Sequence, residues 1–147
     1  MSLYYRGAIL NRLGRNEEAI VNLDQSMVER PDLTSAREEK GEALWQLGRR
    51  DEAVAVWGSA IEHNSALPVV LNMLAGAALT FGKPETANDL VSEASKYTPT
   101  DPRYHWMLGL RLKNLGMDGV ADKHFAEALK LDPQFQIRLE WNSLEKR

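Results

Sequence analysis

A gapless period of 34 residues constrains this chain more than any other feature of its sequence. The skeleton of the stretch 41–60, GEALWQLGRRDEAVAVWGSA, recurs once before it and twice after it. Gly7, Gly41, Ala75 and Gly109 form one column, and Gly14, Gly48, Gly82 and Gly116 another, each step being 34 residues. Ala19, Ala53, Ala87 and Ala121 keep the same step, as do Ser26, Ala60, Ala94 and Ala128. A period of this size means that one supersecondary unit is stacked on copies of itself, because a lone unit cannot bury its own apolar face.

The unit reads as helix, short turn, helix. A first helix over about 2–13 ends where Gly14 can adopt the left-handed conformation that closes a helix. Arg15, Arg49 and Lys83 follow three of the four stops, where a positive charge meets exposed carbonyls favourably, and Met117 breaks the habit. The second helix then opens with Glu17-Glu18, Asp51-Glu52, Pro84-Glu85 or Asp118, residues suited to a first turn. Small residues such as Gly41 and Ala53 let the paired backbones cross closely. Three large columns fill the interior by their helical spacing: Leu10, Leu44, Ala78 and Leu112; Leu13, Leu47, Phe81 and Leu115; Leu23, Trp57, Val91 and Phe125. Pro31, Pro99 and Pro133 close three units, Ser65 stands where the second unit lacks its proline, and Asp101 before Pro102 is expected to cap a helix.

Composition excludes several classes. The chain of 147 residues is 44% apolar and 27% charged, near globular averages, and no apolar run approaches the ~20 residues of a membrane helix. It is therefore not expected to span a bilayer. It has no cysteine, hence no disulfide, thiolate nucleophile or cysteine-type zinc site. A net charge of −3, with bases interrupted by acids throughout, argues against a nucleic-acid surface. No signal peptide opens the sequence, and Met1-Ser2-Leu3 runs straight into a helical pattern, which suggests a segment cut from a longer chain. The compartment cannot be read from the sequence, the cytoplasm being favoured.

LGRRDEA, AEALKLDP and the glycine and alanine columns together resemble the tetratricopeptide repeat, whose pattern sets tryptophan, leucine-glycine and tyrosine before alanine, phenylalanine and proline. The resemblance covers residues 2–133. It implies an all-α, right-handed superhelical solenoid, first helices lining a concave groove and second helices forming the back. Its units are 1–33, 34–67, 68–101 and 102–135, with a capping helix over 136–147, all in one solenoid domain. The family's tryptophan column here reads Leu3, Arg37, Leu71 and His105, and its next leucine column Arg6, Lys40, Leu74 and Leu108. The first two units are thus expected to have looser first helices, with aliphatic stems lying over the core.

Catalytic chemistry is not indicated. His63, His105 and His124 lack metal-ligand spacing and read as surface or packing residues, and no cofactor motif appears. Glu38, Glu39 and Glu42 read as a solvated helix face. The resemblance places on the groove Asn11 and Arg12, Trp45, Asn72 and Leu79, and Trp106, Leu110 and Lys113. Trp45 and Trp106 can alternatively fill gaps between neighbouring helices. The expected function is a non-enzymatic scaffold holding a partner protein or peptide there, apolar side chains giving affinity and the Asn72 amide orientation. The alternatives are a structural or regulatory arm of a larger enzyme or complex, and a self-assembly module. Some relatives clamp the carboxylate tail of heat-shock chaperones with basic and amide groups from three consecutive first helices. This chain offers Tyr4, Ala8, Glu39, Val69 and Met73 instead, with Glu38 and Glu42 repelling a carboxylate, so such a tail is not expected to bind. In the last helix, Leu139 is expected to dock on the fourth unit. Ile137, Trp141 and Leu144 are expected to turn toward the groove mouth or a second copy, forming a homodimer.

Overall fold

The computed structural model describes residues 2–64 and 67–145. Among them are nine helices and no strand: α1 (Leu3–Arg12), α2 (Asn16–Glu29), α3 (Thr34–Gln46), α4 (Arg50–His63), α5 (Pro68–Thr80), α6 (Pro84–Ser95), α7 (Pro102–Asn114), α8 (Asp118–Leu131) and α9 (Phe135–Glu145). The first eight pack as pairs, α1 on α2, α3 on α4, α5 on α6 and α7 on α8. The fold class is all-α, built from helix-turn-helix repeats. Ser65, Lys146 and Arg147 lie outside the described residues.

One turn is used four times. Gly14, Gly48, Gly82 and Gly116 have φ of 75°, 81°, 73° and 74°, the left-handed region that a side chain resists. The next residue donates its N–H back to the third-last helical carbonyl: Arg15 to Leu10, Arg49 to Leu44, Lys83 to Ala78, Met117 to Leu112. That bond satisfies an otherwise orphaned carbonyl at each stop. It uses only backbone, so Met117 serves as well as a base. Asp101 caps α7, accepting from the Arg103 N–H at 2.9 Å, with Pro102 in the first turn.

Each crossing pairs a small residue with a large one 16 positions later. A methyl on Gly7 would stand 2.6 Å from Leu23 Cγ, on Gly41 2.1 Å from Trp57 Nε1, and on Gly109 2.7 Å from Phe125 Cε1. In the third repeat the pair is Ala75 with the smaller Val91. The one column member with a side chain thus faces the smallest of the four partners, as dense packing requires. The alanines at 19, 53, 87 and 121 are all buried.

Two expected core residues lie outside. Leu13 and Phe81 are 64% and 44% exposed, while their column mates Leu47 and Leu115 are half-buried and buried. All four are C-cap residues, so what covers each turn, not its place in the repeat, decides its burial.

The chain divides into two compact units, Met1–Tyr97 holding α1–α6 and Thr98–Arg147 holding α7–α9. In unit 1 a row on each second helix changes character along the sequence. Ile20 and Met27 of α2, and Val54 and Ile61 of α4, are apolar and buried or half-buried, whereas Asn88 and Ser95 of α6 are polar and exposed. The first unit ends just beyond that polar row. In unit 2, α9 docks through Phe135, which is 7% exposed and 5.8 Å from the Trp106 ring. Leu139, expected to make that contact, is 38% exposed. The helix begins at Phe135, so its first aromatic reaches the interior one turn earlier.

Candidate partner-binding surface

In unit 1, Asn11 and Arg12 come together around the acids of α3. Arg12 sets its two guanidinium nitrogens on the two Glu39 carboxylate oxygens, each at 3.0 Å, with Glu42 3.7 Å away. The Asn11 amide donates to the Glu39 backbone carbonyl at 2.9 Å and to its side chain at 3.0 Å, and accepts from Asn16 at 3.1 Å. Glu39 and Glu42 are 2% and 6% exposed. The expectation of a solvated acidic face is therefore overturned, because α1 covers these acids and supplies the cation and amide that a buried carboxylate needs. Nor is α3 loose: Lys40 pairs with Asp24 at 2.6 Å, and the buried Arg37 donates to the Pro31 carbonyl at 2.9 Å.

Trp45 and Asn72 belong to the interior of unit 1, not to an open groove. Trp45 is 4% exposed, 5.8 Å from the Trp57 ring and 6.3 Å from Phe81, with the Arg50 guanidinium 4.7 Å over its face. It fills the gap between helix pairs, the alternative its column had left open. Asn72 is 1% exposed and donates to the Pro68 carbonyl of its own helix at 2.7 Å. Of the expected groove residues here, Arg12 and Leu79 are exposed, Leu79 at 37%, and Asn11 is half-buried.

In unit 2, α7 presents Leu110, 46% exposed, and the exposed Lys113. Trp106 is half-buried, edge-on to Phe125 at 4.8 Å. Met107 is 63% exposed, although its equivalent Met73 is fully buried in unit 1. No signal in the repeat pattern separates these two methionines. Sequence reasoning also missed the pairing of His105 and His124, 8% and 7% exposed with Nδ1 atoms 3.0 Å apart. Burial, the charge of His105 and that of Lys123 depress His124 to about 4. His63 is a surface residue bonded to the Ser59 carbonyl.

Comparison with known proteins agrees with this anatomy. Residues 35–59 match the family model described as tetratricopeptide repeat. A crystal structure of MamA has a TM-score of 0.64 at 20% sequence identity, with 91% of this chain and 78% of that one covered. MamA of Desulfovibrio magneticus RS-1, from its residue 41 onward, has a TM-score of 0.61 at 23% identity, with 90% and 75% covered. No curated protein matches this chain in sequence. With four helix pairs, each closed by the same left-handed glycine turn, the chain has the fold of a tetratricopeptide-repeat protein.

Proposed function

We propose that this protein is a non-enzymatic interaction scaffold that takes a segment of a partner protein on the outer faces of its first helices. One observation carries the reading. On α7 the interior row Leu108, Gly109 and Leu112 is buried, yet Met107 and Leu110 face outward at 63% and 46% exposure, with Lys113 alongside. Apolar side chains displayed beside a charge are the usual composition of an interaction surface. At the end of α5, Leu79 likewise stands exposed, beside the uncharged polar Thr80.

The test is selection from a displayed random-peptide library on the immobilised protein. A selected peptide should lose at least about tenfold in affinity on Met107→Asp with Leu110→Asp, while helical content stays unchanged. Enrichment of nothing, or affinity indifferent to both changes, overturns the reading. An acidic carboxyl-terminal peptide should not bind, since Arg12 is committed to Glu39 and Glu42 lies beside it.

A second reading, self-association through α9, is favoured by Ile137, Trp141 and Leu144 at 66%, 62% and 59% exposure. Their spacing of four and three residues is that of a helix-helix seam. Trp141→Glu should then lower the solution mass by light scattering without loss of helix, and an unchanged mass removes this reading.

A further inference from the structure

The histidine pair of unit 2 lies apart from the outward face of α7. The two ring planes are 22° from parallel and the centroids 5.2 Å apart. That separation is close to the 3.0 Å between the Nδ1 atoms plus two ring radii, so the imidazoles meet edge to edge. Such a bond requires one Nδ1 to carry a proton and the other to present a lone pair. Two neutral rings satisfy it with opposite tautomers. Two cations cannot, because two N–H groups would then face each other inside the helix pair.

The same columns hold Leu71 and Leu90 one repeat earlier, the first buried and the second half-buried. The crossing therefore accepts an apolar pair, and packing does not require the histidines. On α7, Asp101 precedes His105 by one turn, its carboxyl held below the usual range by Arg103 and, to a smaller extent, by His105. On α8, Lys123 disfavours a charge on His124. Tyr104 meets His105 edge-on at 5.9 Å, and α9 contributes Phe135 inside, with Arg138 bound to Asp132 at the surface.

We propose that His105 and His124 form a proton-operated latch, tying α7 to α8 near neutrality and loosening the fourth repeat in mild acid while unit 1 stays closed. The sign follows from the buried base. His124 titrates at about 4 in the fold against 6.5 for an ordinary histidine, so its contribution is present above the ordinary value and is lost as pH falls toward the folded one. At a pH of about 4.5 this linkage favours opening by at most about sixtyfold over neutrality, and tenfold is the expected scale.

Amide hydrogen exchange on the whole chain, corrected for the intrinsic pH dependence of exchange, tests this. Between about pH 7.5 and 4.5, protection in α7 and α8 should fall roughly tenfold more than in α3 and α4. The double variant His105→Leu with His124→Leu, which copies the third repeat, should abolish the difference. An equal fall in the double variant, an equal fall in unit 1, or no fall at all overturns the latch. Should the double variant not fold, imidazole NMR of the native protein decides: His124 titrating near the ordinary histidine value overturns it, and titration well below that value supports it.

Discussion

Two joints inside unit 1 use the same columns with opposite chemistry. Where α3 meets the first repeat, it carries Arg37, Glu39, Lys40 and Glu42, bonded to the Pro31 carbonyl, to Arg12 and Asn11, to Asp24 and near Arg12 respectively. One period later α5 carries Leu71, Met73, Leu74 and Gly76. Met73 is fully buried and Leu71 is 4% exposed, just as Glu39 and Glu42 are buried in the first joint. At these two joints the same columns are buried to a similar depth with different chemistry filling them. A charged joint needs a specific partner for every buried group, whereas an apolar joint needs only volume. The first joint is correspondingly selective for the α1 it has, through a bidentate guanidinium-carboxylate pair whose geometry a lysine would not reproduce.

Exchanging chemistry between the joints is the most direct way to break this comparison. Met73→Glu should have the largest effect, about 4 kcal/mol or more, since it buries a carboxylate where the residue in the Arg12 column is Gln46. The denaturant midpoint reads it, and a loss near 1 kcal/mol would show that the second joint readily admits water. The reverse exchange, Glu39→Met, should cost less, about 2 kcal/mol, because the Arg12 side chain left behind is 54% exposed and can hydrate. Adding Arg12→Gln completes the transplant and should recover about 1 kcal/mol, a coupling measured by the double-mutant cycle. Strict additivity would mean that the pair is ornamental. Smallest of all is salt: raising it from low to molar concentration should weaken the α1–α3 joint by a few tenths of a kcal/mol. Hydrogen exchange in α1 should register that change, and exchange in α5 should not.

Much of this anatomy was legible because it repeats. The four turns, the small columns at their crossings and the compensation of Gly41 by Trp57 or Ala75 by Val91 are local in a 34-residue frame, so sequence spacing alone reveals them. Asp101 before Pro102 is similarly local, and the structure shows the cap. Asn72, Glu39 and Glu42 were not legible, and for Trp45 the sequence left burial open as an alternative. All four stand on first helices at positions that the resemblance places near an open groove, and all four are buried. Whether such a position is open depends on how neighbouring helices cover it, and that is not a property of its own repeat. Leu139 and Phe135 differ for a similar reason, since the docking residue is set by where α9 begins.

The sequence by itself therefore determined the repeat, its helix ends and the small-to-large pairing within each helix pair, because those depend on backbone stereochemistry and volumes a fixed distance apart. Only the tertiary structure decided that Arg12 reaches Glu39 across 27 residues, that Trp45 turns inward beneath Arg50, and that His105 meets His124 edge to edge. Those outcomes depend on which faces adjacent helices cover and on the partners a buried polar group then finds, and a periodic pattern does not encode either one.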